Sequence, residues 1–190
     1  MSLTRWRTEV FGDSDWGGRR GGRKSTSGGC LMFGRHCLKT WSCAQGAVAL
    51  SSAEAEFYAM VEATTRAKGI VAVMVEMGFN ISEPIYVFTD SSAARSFVSR
   101  QGLGKMKHLE IRDLWLQRDV GMYPFIVHKV DGTRNPADLM TKYSQRWDIE
   151  VRLDLMGMTV AWDPDVTEAD KEELAKEVYM IGRSFLLARR

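Results

Sequence analysis

Four acidic residues fall where predicted strands and helices begin or end. They are Asp13, Glu56, Asp90 and Asp138. Asp13 and Asp90 each follow an apolar run, whereas Asp138 lies in the first turn of a predicted helix. Open α/β sheets place their sites beyond the carboxyl ends of strands, so we expect the four side chains to converge. Clustered carboxylates repel one another unless cations neutralise them, and hard oxygen ligands favour Mg²⁺ or Mn²⁺.

This ligand set favours metal-dependent hydrolysis of phosphodiesters. Two divalent ions about 3.5–4 Å apart can activate water and stabilise the leaving oxygen without a protein nucleophile. The sequence has no Gly-rich P-loop, GxSxG elbow or HExxH motif. Each acid also has a local interpretation, because Asp13 precedes a turn and Asp138 suits the N-terminus of a helix. Local roles alone do not explain four acids at four such positions.

Glu54 and Glu56 are two residues apart in the first long helix but are expected to differ in role. Ser51 is a predicted N-cap, and Glu54 is placed to accept a hydrogen bond from the Ser51 amide in a capping box. Glu56 lies about 200° around the helix and faces the predicted sheet. A carboxylate there needs a cation or a hydrogen-bond donor.

Hydrophobic periodicity predicts the elements that position these acids. Strands are expected at residues 10–13, 30–33, 38–41, 85–88 and 123–130, and residues 17–29 are predicted to be a loop. Helices are expected from Ser51 to a stop at Gly78, over 91–98 and 108–120, and after Asn135-Pro136. This order predicts an α/β fold, with a mixed five-stranded sheet flanked by helices.

A last amphipathic helix is predicted in a C-terminal extension. Thr167 with Asp170 opens it, and an apolar stripe follows at Leu174, Val178, Ile181 and Phe185. We divide the chain into a lead-in (1–10), a main domain (11–143) and this helical extension (144–190). The 190 residues, 45% hydrophobic and 26% charged, suit one main core.

The composition predicts a soluble, intracellular protein that does not enter membranes. No apolar run approaches the roughly 20 residues of a membrane helix, and no apolar signal-peptide region follows Arg5 and Arg7. The three cysteines are expected to be reduced thiols. Net charge is only +2, but basic residues cluster in two stretches, at Arg19, Arg20, Arg23 and Lys24 and at Arg100, Lys105, Lys107 and Arg112. Such clusters suit a phosphate backbone, or are simply solvated loops.

Five stretches, in order, carry a family resemblance. They are Asp13-Ser14-Asp15-Trp16-Gly17, Arg23-Lys24-Ser25-Thr26-Ser27-Gly28, Ala49-Leu50-Ser51-Ser52-Ala53-Glu54-Ala55-Glu56-Phe57, Lys107-His108-Leu109-Glu110-Ile111-Arg112 and Asn135-Pro136-Ala137-Asp138. Together they closely resemble the signatures of the copia-type retrotransposon ribonuclease H domain, over residues 11–142.

The resemblance implies a ribonuclease H-like fold that cuts the RNA strand of RNA–DNA hybrids endonucleolytically. It implies two Mg²⁺ or Mn²⁺ ions held by a catalytic set that carries over to Asp13, Glu56, Asp90 and Asp138. Reverse transcriptase or other polyprotein domains are the implied protein partners. The candidate nucleic-acid contacts are Arg23, Lys24, Ser25, Thr26, Ser27, Lys107, His108 and Arg112.

Three departures from the family pattern concern the surroundings of the site. Many members have acidic residues in the loop at 19–22, and an aromatic residue where this chain has Gly29. Many ribonucleases H also have a histidine in the loop before the last aspartate, whereas residues 131–134 contain none. None of these departures affects the four acids.

Other functions are open at this point. A proofreading-type exonuclease would carry Asp-x-Glu on its first strand, and an integrase or transposase would place its glutamate last, so both are disfavoured. The alternative from another class is a catalytically silent or host-adopted nucleic-acid-binding or interaction module of the same fold. Retention of all four acids argues against it. The sequence contains no reverse-transcriptase YxDD motif, integrase or protease, so a fragment, a decayed copy and a host-adopted domain stay open.

Overall fold

A mixed five-stranded sheet with helices on both faces makes up the fold. The computed structural model describes residues 6–18, 23–100, 114–122, 125–159, 167–170 and 172–173. The strands are β1 (Thr8–Asp15), β2 (Thr26–Phe33), β3 (His36–Ala44), β4 (Ile85–Thr89) and β5 (Phe125–Lys129). The helices are α1 (Ser52–Glu76), α2 (Ser92–Val98), α3 (Trp115–Met122) and α4 (Arg146–Leu155), and two 3₁₀ segments, Gly132–Arg134 and Pro136–Met140, follow β5.

The sheet has an antiparallel half and a parallel half that meet at β1. The strand order is β3-β2-β1-β4-β5. β2 pairs antiparallel with β1 and β3, whereas β4 pairs parallel with β1 and β5. A tight turn at Gly34, whose φ of +60° suits glycine, joins β2 to β3. The predicted α/β class and five-stranded sheet are confirmed.

The longest helix, α1, packs along one face of the sheet and confirms the helix predicted from Ser51 to Gly78. The Ser51 hydroxyl accepts a hydrogen bond from the Glu54 amide over 3.2 Å. Glu54 in turn accepts from the Leu50 amide over 3.0 Å, one residue before the predicted donor. Gly78 ends the helix with a φ of +91°. Neither α1 nor any other helix in the described ranges is long and apolar enough to cross a membrane.

Two apolar clusters lie on opposite faces of the sheet, because successive strand side chains alternate. The larger one joins the sheet to α1, α2 and α3, and its members include Val10, Leu31, Phe57, Val87, Phe97 and Leu116. The smaller one joins the other face to α4 through Cys30, Met32 and Met156. Helix α4 therefore covers the face opposite to α1.

The glycine-rich stretch before residue 30 contains the main error of the sequence-based assignment. The loop predicted over 17–29 ends earlier, because β2 already begins at Thr26. Gly29 pairs with Trp41 on β3, and a Cβ at Gly29 would lie 1.9 Å from Trp41 Cζ2. Because Gly29 has no side chain, the Trp41 ring can pack directly against its backbone.

The shorter predicted elements are present with shifted ends. Strand β4 and helix α2 match the predictions for 85–88 and 91–98. Strand β5 begins at Phe125 and α3 at Trp115, and the predicted starts of these elements lie outside the described residues. The helix predicted after Asn135 is a 3₁₀ segment. All three cysteines are free, as expected.

The described part of the C-terminal extension contains the predicted helix start. The Thr167 amide donates to Asp170 Oδ2 over 3.1 Å, and the Asp170 amide donates to Thr167 Oγ1 over 3.3 Å. Residues 168–170 and 172–173 are helical. The predicted apolar stripe from Leu174 to Phe185 lies outside the described residues.

Candidate active site

Three aspartates from separate elements meet at one end of the sheet. Asp13 lies near the end of β1, Asp90 follows β4, and Asp138 lies in the second 3₁₀ segment. One carboxylate oxygen from each lies within 4.8 Å of the others. Phe11 pairs with Phe88 in the parallel register of β1 and β4. Asp13 lies two residues after Phe11, and Asp90 lies two residues after Phe88. The structure thus brings together three of the four predicted acids.

The fourth predicted acid, Glu56, approaches the cluster from α1. Its Oε1 accepts hydrogen bonds from the Ser14 amide over 3.2 Å and from the Ser14 hydroxyl over 2.9 Å. Its Oε2 is buried and has no hydrogen-bond partner among the described residues. Asp13 and Asp90 are near enough to affect its ionisation. Glu56 therefore borders the aspartate cluster, although it is not one of the three acids within 4.8 Å.

Burial makes the carboxyl groups of Asp13, Glu56 and Asp90 hard to ionise. Burial, followed by the charge of Asp138, raises the pKa of Asp13 to about 7. Burial, followed by the charges of Asp13 and Asp90, raises the pKa of Glu56 to about 8. The pKa of Asp90 is also raised, mainly by burial. A nearby cation would favour the ionised forms of all these groups.

The Lys142 ammonium bridges two of the aspartates. Its Nζ lies 3.2 Å from Asp13 Oδ1 and 3.1 Å from Asp138 Oδ1. Burial lowers the pKa of Lys142, but the two carboxylates outweigh it and raise the pKa well above its ordinary value. The Thr141 hydroxyl donates to the other oxygen of Asp13. Lys142 is not among the site residues predicted from the sequence, although four residues is a usual spacing for an acid and a base that pair.

A buried arginine from α4 contacts the other oxygen of Asp138. Arg152 Nη2 lies 3.0 Å from Asp138 Oδ2, and the arginine side chain is only 7% exposed. Its Nε donates to the Asn135 carbonyl over 3.3 Å. Arg152 is not among the predicted site residues either. No motif signals it, because the contact depends on how α4 folds back onto the sheet.

Asn135 anchors the segment that carries Asp138. Its Oδ1 accepts a hydrogen bond from the Ala137 amide over 3.2 Å, as predicted for an N-cap. Its Nδ2 donates to the Gly12 carbonyl over 3.2 Å, beside Asp13. Because Asn135 is fully buried, one side chain both caps the 3₁₀ segment and ties it to β1.

The donor set fits a hard divalent cation. Three carboxylate oxygens lie within 4.8 Å of one another, and a buried oxygen of Glu56 has no hydrogen-bond partner in the described ranges. Carboxylate oxygens of this kind are the protein ligands that Mg²⁺ and Mn²⁺ prefer. The residues that would hold such ions are Asp13, Glu56, Asp90 and Asp138.

Sequence comparison relates the chain to proteins of plant transposons. It is 30% identical over 150 residues to the retrovirus-related Pol polyprotein from transposon TNT 1-94 of Nicotiana tabacum, a match that covers 78% of this chain and 11% of that protein. It is 25% identical over 151 residues to the corresponding polyprotein from transposon RE1 of Arabidopsis thaliana, and this match covers 79% of this chain and 10% of that protein. The chain is a homologue of retrotransposon Pol polyproteins. It spans about a tenth of the length of these relatives.

A solved structure agrees with the fold of this chain. A chain of the foamy viral protease-reverse transcriptase in complex with double-stranded DNA matches it with a TM-score of 0.51 at 17% identity, covering 74% of this chain and 95% of that one. LC11 ribonuclease H1, isolated from compost, matches with a TM-score of 0.49 at 15% identity, and this match covers 71% of this chain and 92% of that one. This chain has the ribonuclease H-like fold. No protein-family model matches the sequence.

Two basic residues of the predicted nucleic-acid surface are accessible in this chain. Arg23 is exposed, and the partly exposed Lys24 donates to the Gly46 carbonyl over 2.9 Å. Both lie in the connection between β1 and β2, next to the strand that carries Asp13. The predicted contacts Lys107, His108 and Arg112 lie outside the described residues.

The three hydroxyl residues of the same motif are buried. Ser25 Oγ accepts a hydrogen bond from the Gly17 amide over 3.1 Å, and Ser27 Oγ accepts one from Gln45 Nε2 over 3.0 Å. The exposed fractions of Ser25, Thr26 and Ser27 are 0%, 6% and 2%. These side chains are therefore engaged in packing the loop and β2, and their contact with nucleic acid stays a prediction.

Proposed function

We propose that this domain hydrolyses the RNA strand of RNA–DNA hybrids endonucleolytically, using two Mg²⁺ or Mn²⁺ ions. The observation that carries the proposal is the meeting of Asp13, Asp90 and Asp138 within 4.8 Å at one end of the sheet. Homology to retrotransposon Pol polyproteins and the ribonuclease H-like fold support it.

The proposed metal ligands are Asp13, Glu56, Asp90 and Asp138. Divalent ions bound to such carboxylates supply an activated water and stabilise the leaving oxygen. The protein's part is to fix the carboxylates: Ser14 holds one oxygen of Glu56, and Thr141 holds one oxygen of Asp13. Lys142 offsets part of the negative charge that Asp13 and Asp138 place side by side.

The proposed substrate is a hybrid with A-form-like geometry. Such a duplex presents a wide, shallow minor groove in which 2′-hydroxyls mark the RNA strand. Arg23 and Lys24 are proposed to contact phosphates, because they lie beside the strand that carries Asp13. Lys107, His108 and Arg112 are proposed as further contacts on the family resemblance.

The proposed partners are reverse transcriptase and the other domains of a longer polyprotein. The relatives are about ten times longer than the matched region. One solved structure with this fold is a chain of a protease-reverse transcriptase. A domain of this kind would act on hybrid that a neighbouring polymerase domain presents to it.

Incubation of the purified protein with end-labelled RNA–DNA hybrid, with Mg²⁺, Mn²⁺ or chelator, tests the proposal. Cleavage of hybrid RNA is expected only with a divalent ion, and single-stranded RNA and duplex DNA should be largely spared. Asp90→Asn should abolish turnover with little loss of stability, since it removes repulsion between carboxylates. Asp131→Asn is the matched control, because Asp131 is exposed and accepts a hydrogen bond from the Thr133 amide.

Two outcomes would overturn the proposal. Robust cleavage in excess chelator would exclude the metal-dependent mechanism. Binding of hybrid without cleavage under any metal condition would instead favour the catalytically silent binding module.

A further inference from the structure

We infer that Arg152 is a positioning residue for Asp138, which makes α4 part of the active site. The inference rests on the proposed function, because it concerns how one proposed metal ligand is held. Arg152 lies beyond residue 143, in the segment predicted to be a C-terminal extension. A domain that ended at residue 143 would lack the contact between Arg152 Nη2 and Asp138 Oδ2, which are 3.0 Å apart.

The two oxygens of Asp138 have separate partners. Arg152 contacts Oδ2, whereas Oδ1 lies 3.1 Å from the Lys142 ammonium. The same ammonium lies 3.2 Å from Asp13 Oδ1, so Oδ1 of Asp138 is the oxygen directed towards the other carboxylates. A charge-assisted hydrogen bond from a guanidinium fixes the orientation of a carboxylate. Asp138 therefore presents one oxygen to the cluster in a defined place.

Arg152 is itself fixed from several sides. Its Nε donates to the Asn135 carbonyl over 3.3 Å, and its Nη1 pairs with the Asp148 carboxylate one turn earlier on α4. Asn135 is also the residue that ties the Asp138 segment to β1. The arginine thus connects α4, the 3₁₀ segment and, through Asn135, the strand that carries Asp13.

Apolar contacts dock α4 on the sheet beside this ion pair. Met156, only 1% exposed, packs with Cys30 and Met32 of β2, and Leu153 packs against the same cluster. Withdrawal of α4 would expose this cluster and break the Arg152–Asp138 pair together. Burial and charge therefore hold the helix in one place relative to the carboxylates.

The identity of the partner separates this pair from an ordinary structural ion pair. A buried ion pair by itself is weak evidence for any role, because apolar residues often stabilise a fold equally well. Here the paired acid lies within 4.8 Å of Asp13 and Asp90. Residues that hold metal ligands in place typically change metal affinity or activity by about 10–100-fold when they are removed.

The test measures Mn²⁺ binding to the full chain by isothermal titration calorimetry, together with hybrid cleavage and melting temperature. Arg152→Gln should raise the Kd for Mn²⁺ by about 10–100-fold and lower kcat, with little change in KM for the hybrid. Arg152→Lys should recover part of the affinity, because it restores the charge without the planar fork.

Two control variants separate positioning from general destabilisation. Arg146→Gln removes the same charge from the same helix, where the guanidinium pairs with Glu150 and Glu168, and should keep the wild-type Kd. Leu116→Ala creates a cavity in the larger core cluster and should lower the melting temperature without changing Mn²⁺ affinity.

The outcomes distinguish this inference from the proposed function. A folded Arg152→Gln variant with wild-type Kd and kcat would overturn the inference, as would an equal loss of affinity in Leu116→Ala. If Arg152→Gln does not fold, Asp148→Asn decides, and an unchanged Kd in that variant overturns the inference. If Arg152 variants weaken Mn²⁺ binding but the wild type cleaves no hybrid, the positioning role stands and the nuclease proposal fails.

Discussion

The amide and the hydroxyl of Ser14 both donate to one carboxylate oxygen of Glu56, over 3.2 Å and 2.9 Å. Ser14 and Asp13 are consecutive in β1, so their side chains point to opposite faces of the sheet. Glu56 therefore reaches the strand end from the face that α1 covers, and Asp138 reaches it from the other face. The two halves of the proposed metal site meet at this strand end.

Glu54 and Glu56 provide a matched pair of variants. Glu54 has local partners, because it accepts hydrogen bonds from the Leu50 amide and the Tyr58 hydroxyl. Glu54→Gln should keep most hybrid cleavage and cost at most about 1 kcal/mol of stability. Glu56→Gln should lower kcat by orders of magnitude while the fold and hybrid binding are preserved. Cleavage rates and melting temperatures check this, and a reversed pattern would contradict the assigned ligands.

Lys142→Met tests whether the ammonium and a metal ion compete for the same oxygens. The variant removes a positive charge that lies 3.2 Å from Asp13 and 3.1 Å from Asp138. The Kd for Mn²⁺ should fall severalfold, because the ammonium no longer competes for the carboxylate oxygens. The melting temperature in chelator should also fall, by the equivalent of about 1 kcal/mol, because the ion pairs with Asp13 and Asp138 are lost. Lys39→Met, at an exposed position on β3, is the control. Weaker Mn²⁺ binding in Lys142→Met would show that the lysine assists the metal.

Hydrophobic periodicity is sufficient to predict α1, β4 and the mixed sheet, because these elements bury regular apolar stripes. It fails at residues 26–29, since glycine gives no signal that distinguishes a loop from a strand packed under an aromatic ring. The Asn135-Pro136 pair correctly predicts a capped start. It does not distinguish an α-helix from the 3₁₀ segment that forms.

The four acids can be found from the sequence, because each lies within a motif or at the end of an apolar run. Lys142 and Arg152 are harder to assign, since their roles depend on which carboxylate they meet after folding. Arg152 reaches Asp138 only because the apolar side of α4 docks on β2 through Met156. Contacts that depend on such long-range packing leave no local pattern in the sequence.

Gly29→Ala tests the packing of Trp41 against β2. The resemblance places an aromatic residue at this position in many family members, whereas here the Trp41 ring of the neighbouring strand covers the glycine. An added Cβ would lie 1.9 Å from the ring, so the variant should lose about 1–3 kcal/mol of stability. Gly69→Ala is the control, because its Cβ meets no described atom within 4 Å and helix propensity should stabilise α1 by about 1 kcal/mol. Equal melting temperatures would contradict the packing.

The raised pKa values of Asp13 and Glu56 predict how the metal-free protein responds to pH. Burial, the largest cause in both cases, raises the pKa of Asp13 from 3.8 to about 7 and that of Glu56 from 4.5 to about 8. The folded protein therefore binds more protons than the unfolded chain between these values. The stability contributed by the protonated forms is complete below about pH 4 and is lost as the pH rises through 7 and 8.

Melting curves in chelator between pH 5.5 and about pH 8.5 should show this loss. Each group contributes at most about 1.4 kcal/mol per pH unit, which corresponds to about 3–6 °C in the melting temperature of a chain of this size. Glu56→Gln should flatten the slope, because glutamine cannot ionise. Saturating Mg²⁺ should also flatten it, since a bound cation lowers the pKa of its carboxylate ligands. A melting temperature that rises with pH in chelator would contradict the raised pKa values, and an unchanged slope with Mg²⁺ would contradict metal binding at these acids.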